Sequence, residues 1–296
     1  MASGLGAPKG TWRATGEAFP TPANEHRGYG GGLASHAAMI RLARWALKAL
    51  LVVGFVGVAV FGGEIWWASR GRALVAPEPP PTDSPVGPPG GAAGAVVVWL
   101  GDSTAAGVGA SGPDAILPQQ VGRQLGQPAR LTVLARSGAR VADVLRHQLP
   151  QVAGLAPTEV FISVGANDTT HLTSRSTFRR DYERVLSGLP TTVTRIVLLG
   201  VPDMGASPRL PQPLRAVAGW RGRYLAADVR NLARRHHAVF VDIAGRTGPT
   251  VRHDTSRYFA SDRYHPGDAG YQLWARAVTE TVTAAGASRA PTGVGA

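Results

Sequence analysis

Apolar residues are spread unevenly along this chain, and their spacing divides it into segments. Residues 1–37 are rich in Gly, Ala and Pro without apolar periodicity, which predicts a disordered N-terminal tail. From residue 38 to 69 the pattern changes to a nearly continuous apolar run. Between Trp45 and Trp67 only Lys48 near one end and Glu64 near the other interrupt it, at depths from which long side chains reach an interface. Trp45 to Trp66 is 21 steps, about 31 Å of helix at ~1.5 Å per residue against a hydrocarbon core of ~30 Å. Tryptophans stand at both ends, where aromatic belts lie. The run therefore predicts one transmembrane helix. A cleaved signal peptide would need a small-x-small site just after it, and Ile65-Trp66-Trp67-Ala68-Ser69-Arg70 has none. A buried core helix would need a polar face, which too few residues mark.

Residues 70–93 come next. Over 77–94 Pro and Gly dominate, a composition that reads as a semi-rigid tether unable to form helix or ladder. From Ala95 short β-branched runs alternate with longer helical patterns. Strands are expected at 95–100, 130–135, 159–164, 195–199 and 238–243, and helices near 114–125, 141–148, 177–187, 214–236 and 266–285, with Pro118 interrupting the first helix. This alternation predicts an α/β domain over residues 94–287, with a five-stranded parallel sheet covered on both faces and a disordered tail, 288–296, behind it. Trp220, Tyr224, Tyr271 and Trp274 fall at helical positions and are expected in the core. The proline-rich stretch 201–220, with Met204 and Leu210, reads either as a wall of an apolar pocket or as an ordinary loop.

Charge changes the picture in two ways. The formal net charge is +12. From Gly94 onward there are 23 Arg, no Lys and 14 acidic residues, so this part of the chain, the α/β domain with its short tail, carries +9. Such a balance suits nucleic acid, an acidic lipid surface or an anionic polymer. No aromatic-interleaved basic stripe, RNP-like segment or zinc-finger spacing is present, so no nucleic-acid partner is expected. Lys9, Arg13, Arg27, Arg41, Arg44 and Lys48 lie at the leading side of the apolar run against Arg70 and Arg72 after it. That asymmetry places the N-terminus in the cytoplasm and predicts a single-pass cell-membrane protein with its domain outside the cytoplasm. The chain has no cysteine, which removes thiol nucleophiles, disulfides and Cys-ligated metals. Its eight histidines lack H-E-x-x-H or similar spacing, so no metal site is expected.

Candidate chemistry begins at Trp99-Leu100-Gly101-Asp102-Ser103-Thr104. Ser103 sits just past the carboxyl end of the first expected strand, where open α/β sheets keep their sites. A serine on a strand-to-helix turn exposes its hydroxyl and sets its own backbone N–H near the charge that develops when it attacks a carbonyl. Taken alone, Asp102 or Ser103 reads equally as a helix cap. The company it keeps is more specific. Ser261-Asp262-Arg263-Tyr264-His265-Pro266-Gly267 supplies an acid and an imidazole three residues apart, and Ser137-Gly138 and Gly165-Ala166-Asn167-Asp168 each end a strand-like stretch. An alkyl hydroxyl needs a base, and His265 is suited to take its proton and return it to the leaving group. Asp262 is spaced to orient the imidazole, and Pro266 is expected at the first position of the last helix. Asp254 and Asp268 read as turn and cap residues.

These four blocks, in this order, resemble the SGNH hydrolase superfamily, also called GDSL esterases and lipases, over residues 94–287. The resemblance implies a flavodoxin-like three-layer sandwich with strand order 2-1-3-4-5. It implies Ser103, Asp262 and His265 as the catalytic residues. It also implies an oxyanion hole of the backbone N–H groups of Ser103 and Gly138 with the Asn167 side-chain amide, Asp102 and Asp168 acting as supports. On the residues alone, Gly138 and Asn167 also fit plain turns. The expectation is a membrane-anchored serine esterase or lipase-type hydrolase that cleaves carboxylic or thioesters, on small-molecule or lipid substrates, through an acyl-enzyme on Ser103. No cofactor is expected: neither G-x-G-x-x-G nor a P-loop occurs around Gly101-Asp102-Ser103. Two alternatives remain, an acyltransferase of the same fold acting on envelope sugars or lipids, and a catalytically silent basic binding module.

Overall fold

A computed structural model of the chain describes residues 31–69, 74–77, 83–88 and 94–287. Residues 1–30 of the tail expected over 1–37, the tail expected over 288–296, and tether residues 70–73, 78–82 and 89–93 lie outside the described residues.

Helix α1 (Gly31–Ser69) contains the apolar run. Within it, Ala38–Glu64 has mean hydropathy 2.1 and is long and apolar enough to cross a membrane. None of that window is buried, so α1 is not a core element. It starts earlier than expected, taking in residues 31–37. Once a helix is nucleated each further residue adds a hydrogen bond, and nothing in Gly31-Gly32-Leu33-Ala34-Ser35-His36-Ala37 breaks it.

The α/β domain is built on a six-stranded mixed sheet of order β1-β3-β2-β4-β5-β6. Its strands are β1 (Ser84–Val86), β2 (Ala95–Gly101), β3 (Ala129–Val133), β4 (Glu159–Ser163), β5 (Arg195–Leu199) and β6 (Val239–Val241). β2 to β6 are parallel and keep the expected 2-1-3-4-5 order among themselves. β1 is an extra, antiparallel edge strand on β3, with Ser84 opposite Leu131 and Val86 opposite Ala129. The five-stranded, all-parallel expectation is thus corrected, as is the expectation that residues 77–94 cannot join a ladder. Proline bars a strand only where its missing N–H is needed, and an edge supplies positions where it is not. Asp83 fixes this edge by pairing with Arg130 and by donating its N–H to Thr132 Oγ1 at 3.1 Å.

Alternating side chains along the strands feed two cores. Val98, Leu100, Val160 and Ile162 face one side, covered by α7 (Arg175–Ser187) and α8 (Leu214–Arg235). Trp99 and Phe161 face the other, stacked at 4.6 Å and covered by α3 (Leu117–Leu125) and α11 (Asp268–Ala287). Each such ring buried contributes roughly 1.5–3 kcal/mol. The remaining helices are short: α2 (Ser103–Ala106), α4 (Val141–Asp143), α5 (Leu149–Val152), α6 (Ala166–Thr170), α9 (Ile243–His253) and α10 (Thr255–Tyr258). Between α4 and α5, residues Val144–Gln148 form a π-helical turn. The aromatic expectation holds for Tyr271 and Trp274, which are buried, and fails for Trp220 and Tyr224, which are 52% and 44% exposed. Helical position alone does not say which face of a helix meets the sheet, and these two lie on the outer side of α8.

Candidate active site

The serine turn is set by the sheet. At the end of β2, a Cβ on Gly101 would fall 2.2 Å from Ser163 O, so only glycine lets the backbone pass this close to β4. Gln148, buried in the π-helical turn, holds Gly101 on both sides: it accepts from the Gly101 N–H at 2.9 Å and donates Nε2–H to Gly101 O at 2.8 Å. Asp102 then caps α2, accepting from Thr104 N–H (3.0 Å) and Thr104 Oγ1–H (2.8 Å), which leaves Ser103 as the first residue of the helix. Burial pushes the Asp102 carboxyl up to about 6 against the pull of its hydrogen bonds from Thr104.

The histidine comes from a loop between α10 and α11. It is closed by hydrogen bonds from Ala260 N to His265 O (2.8 Å) and from Gly267 N to Tyr258 O (2.9 Å), with Phe259 opposite Pro266 as an isolated bridge. Pro266 is therefore part of this clip and not the first residue of the helix, which begins at Asp268. The bridge holds Pro266 in extended pairing, incompatible with a helical start. Asp262 Oδ1 accepts the N–H groups of Tyr264 and His265, each at 3.0 Å, while Oδ2 lies 2.6 Å from His265 Nδ1. Burial works against the charged carboxylate here too, but the hydrogen bonds from His265 and Tyr264 outweigh it and hold Asp262 below the usual carboxylate range.

His265 Nε2 lies 3.0 Å from Ser103 Oγ, across 162 residues of chain. The loop after α2 carries the cross-links that bring them together. Val108 N donates to Ser103 O (2.9 Å), Tyr271 Oη–H donates to Val108 O (2.6 Å), and Ser111 N donates to Asp268 Oδ1 (2.8 Å). Gly109, at φ +95°, passes so near Pro266 O that a Cβ would sit 2.4 Å from it. Asp268 is thereby a loop anchor at the head of α11, and Asp254 caps α10 through the Arg257 N–H.

Ser103, Thr104, His265 and Asn167 open onto one cleft of about 660 Å³, counting its mouth. Its walls are mostly apolar: Pro202, Met204 and Ala206 from the proline-rich stretch, Val251 from α9, then Phe259 and Trp274. Of the two readings of residues 201–220, the wall is the one found, though Leu210 belongs to the core. The α9 wall is not legible in the sequence, because Gly245, Gly248 and Pro249 mask the helical pattern of Ile243–His253.

Asn167, in α6, donates Nδ2–H to Ala139 O at 3.1 Å, and Asp168 accepts the Val141 N–H at 3.0 Å. Both residues thus tie α6 to the turn after β3. Gly138 sits in that turn at φ +80°, exposed, and lines a separate depression with Arg136, Ser137 and His147 rather than the cleft. Among the described residues no group of three or more His, Cys, Asp or Glu could hold a metal, and His236 Nε2 lies 2.6 Å from Glu183 Oε1.

Known proteins align with this frame. A curated protein of Mycobacterium tuberculosis strain H37Rv, GDSL-like esterase Rv1075c, is 31% identical over 179 residues, 59% of this chain and 57% of that protein. The match thus spans little more than half of the relative's length. Among solved structures, LAE5, an alpha/beta hydrolase enzyme from the metagenome of Lake Arreo, Spain, is 26% identical with a TM-score of 0.52, covering 65% of this chain and 96% of its own. The lipase/acylhydrolase of Enterococcus faecalis shares the fold at 22% identity and a TM-score of 0.53, over 64% and 96% of the two chains. So does a catalytic mutant of Axe2, an acetylxylan esterase of Geobacillus stearothermophilus, at 19% and 0.51, over 64% and 94%. The sequence pattern of the GDSL-like lipase/acylhydrolase family matches residues 99–273, more than half of the chain, with Ser103, Asp262 and His265 inside the match; the chain belongs to that family, a family of ester-bond hydrolases.

Proposed function

We propose that this protein is a membrane-anchored serine esterase that cleaves carboxylic or thioesters through an acyl-enzyme on Ser103. The observation that supports it most is the Asp262–His265–Ser103 relay, at 2.6 and 3.0 Å, opening onto an apolar cleft. Asp262 holds the proton on Nδ1, so Nε2 is free to take the Ser103 proton as Oγ attacks the acyl carbon. The imidazolium then protonates the leaving alcohol or thiol. Water, activated by the same Nε2, releases the acid and restores the serine. The negative oxygen of each tetrahedral intermediate is stabilised by the backbone N–H of Ser103 and the Asn167 amide. Gly138, the third donor implied by the resemblance, lines a separate depression and is left out of this reading.

The apolar walls favour an acyl chain over a charged substituent in the cleft. A silent basic binding module would have no use for a serine, imidazole and carboxylate in hydrogen-bonding sequence. The domain organisation that fits this activity is a cytoplasmic tail, a helix spanning the cell membrane, a tether, and an extracytoplasmic hydrolase domain over residues 94–287. A panel of esters of increasing acyl length, run with and without a serine-reactive phosphonate, tests the reading. The phosphonate should label Ser103 and stop turnover, and Ser103→Ala should remove both labelling and activity, a loss of about 10⁴-fold or more. Near-normal ester turnover by Ser103→Ala would assign the nucleophile elsewhere.

A further inference from the structure

Within residues 94–287, the described surface exposes three large hydrophobic side chains: Leu172 at 65%, Trp220 and Tyr224. Two of them sit together on α8, and the third is on a turn fastened to that helix. Trp220 and Tyr224 meet edge to face at 4.8 Å on α8. Between them in sequence, Arg221 donates to Thr169 O (3.2 Å) and Thr173 O (2.9 Å), fastening the turn that carries Leu172 to the same part of α8. The Arg175 guanidinium lies 5.5 Å from the Tyr224 ring centre. Leu172 is held at φ +54°, a left-handed conformation unfavourable for a branched-chain residue, and it is held there in water. An apolar side chain fixed in a strained, exposed position points to a partner that covers it.

The surrounding charge says what kind. Arg221 bonds only carbonyl oxygens, and Arg223, next to Tyr224, is exposed with no carboxylate partner among the described residues. The nearby carboxylates are already engaged: Asp228 is buried under Arg175 at 2.6 and 2.8 Å, Asp181 faces Arg180, and Glu183 pairs with Arg235 and His236. A platform for sugar rings would pair its aromatics with free amide or carboxylate side chains, and this patch offers guanidinium groups and a leucine instead. Trp, Tyr and Arg side chains with apolar bodies and polar ends partition to the headgroup boundary of a bilayer, and guanidinium groups favour anionic lipid.

We propose that Leu172, Trp220 and Tyr224, flanked by Arg175, Arg221 and Arg223, dock the hydrolase domain on the anionic surface of a lipid bilayer. The patch adjoins the cleft: the turn of Leu172 directly follows α6, whose Asn167 lines it. Docking there sets the mouth of the cleft beside the headgroups, where a lipid-borne ester would enter. This inference rests on the membrane-anchored reading, which keeps the domain near a bilayer.

The absence of cysteine makes the test direct. The full chain carrying Leu172→Cys, labelled with an environment-sensitive fluorophore, is reconstituted into vesicles of phosphatidylcholine with or without phosphatidylglycerol, with brominated acyl chains as quencher. Thr283→Cys on α11, on the opposite side of the sheet, is the control. Strong quenching at 172 in the anionic vesicles, little at 283, loss of quenching in Trp220→Ala/Tyr224→Ala and weakened quenching in Arg223→Glu are expected. Flotation after an alkaline wash reports the anchor separately. A chain that floats while residue 172 stays in water, or is quenched no more than 283, overturns the docking surface and leaves the anchor standing. A chain that floats with neither vesicle overturns both. A fluorescence shift on adding a neutral polysaccharide, with none on lipid, assigns a sugar platform instead.

Discussion

Asp102 and Asp262 flank the Ser103–His265 pair, are both buried, and each accepts backbone hydrogen bonds within its own turn. Their electrical states nevertheless diverge. Asp102 has Thr104 as its hydrogen-bond partner, so burial wins and its carboxyl rises to about 6. Asp262 has two backbone N–H groups and an imidazole, so hydrogen bonding wins and its carboxyl falls. Burial alone does not decide the charge of a carboxylate in this site. What decides it is whether the surroundings donate enough hydrogen bonds to replace water. Asp102 shapes the turn that presents the serine, and Asp262 keeps a full negative charge beside the imidazole.

The largest effect should come from erasing the charged member. Asp262→Asn keeps the size and the backbone contacts but removes the acceptor for Nδ1–H, so kcat should fall by about 10³–10⁴, less than for Ser103→Ala. Steady-state kinetics at neutral pH checks this. A loss under tenfold would mean that His265 is oriented by something else.

Asn167 is next, and here a catalytic and a structural role separate cleanly. As an oxyanion donor, Asn167→Ala lowers kcat by about 10²–10³ with KM nearly unchanged. As a mere tie to Ala139 O, it lowers the melting temperature and leaves kcat per folded molecule intact. Both quantities measured on one preparation decide between the two.

The smallest effect is on stability against pH, and it runs in opposite directions for the two aspartates. Asp102 holds its proton more tightly folded than unfolded, so its unfavourable contribution is full above about pH 6 and fades as pH falls from 6 toward the ordinary value of 3.8. Asp262 contributes stability that is present above 3.8 and lost as pH falls through its lowered folded value. Asp102→Asn should therefore gain stability relative to the parent at pH 7 and lose that advantage by pH 4. Asp262→Asn should show the reverse, its deficit constant down to about pH 4 and shrinking only below 3.8. Denaturant melts of the three proteins from pH 7 to below 3.8 provide the check; curves parallel over the whole span would contradict the assigned charge states.

Local chemistry makes much of this legible in the chain itself. The β-branched runs at 95–100, 159–164 and 195–199 match β2, β4 and β5 within a residue, because central parallel strands are apolar on both faces and little else reads that way. Ser103, Asp262 and His265 stand out because a turn glycine, a short acid-to-imidazole spacing and their order along the chain are all local properties. The apolar window of α1 is equally plain. What stays hidden depends on partners remote in sequence. β1 exists because β3 offers an edge, a fact of the sheet and not of Ser84-Pro85-Val86. Gln148 grips Gly101 across 47 residues, and nothing near either residue announces it. Trp220 and Tyr224 lie outside the core because of how α8 is rotated on the sheet, which helical periodicity in so alanine- and arginine-rich a helix leaves undefined. The pattern of side chains thus determined the central strands, the apolar helix and which residues are candidates for the chemistry. Only the packed structure decided how far apart those residues stand, which carboxylate keeps its charge, and which aromatic rings face outward, since each of these depends on burial and hydrogen bonds supplied by distant segments.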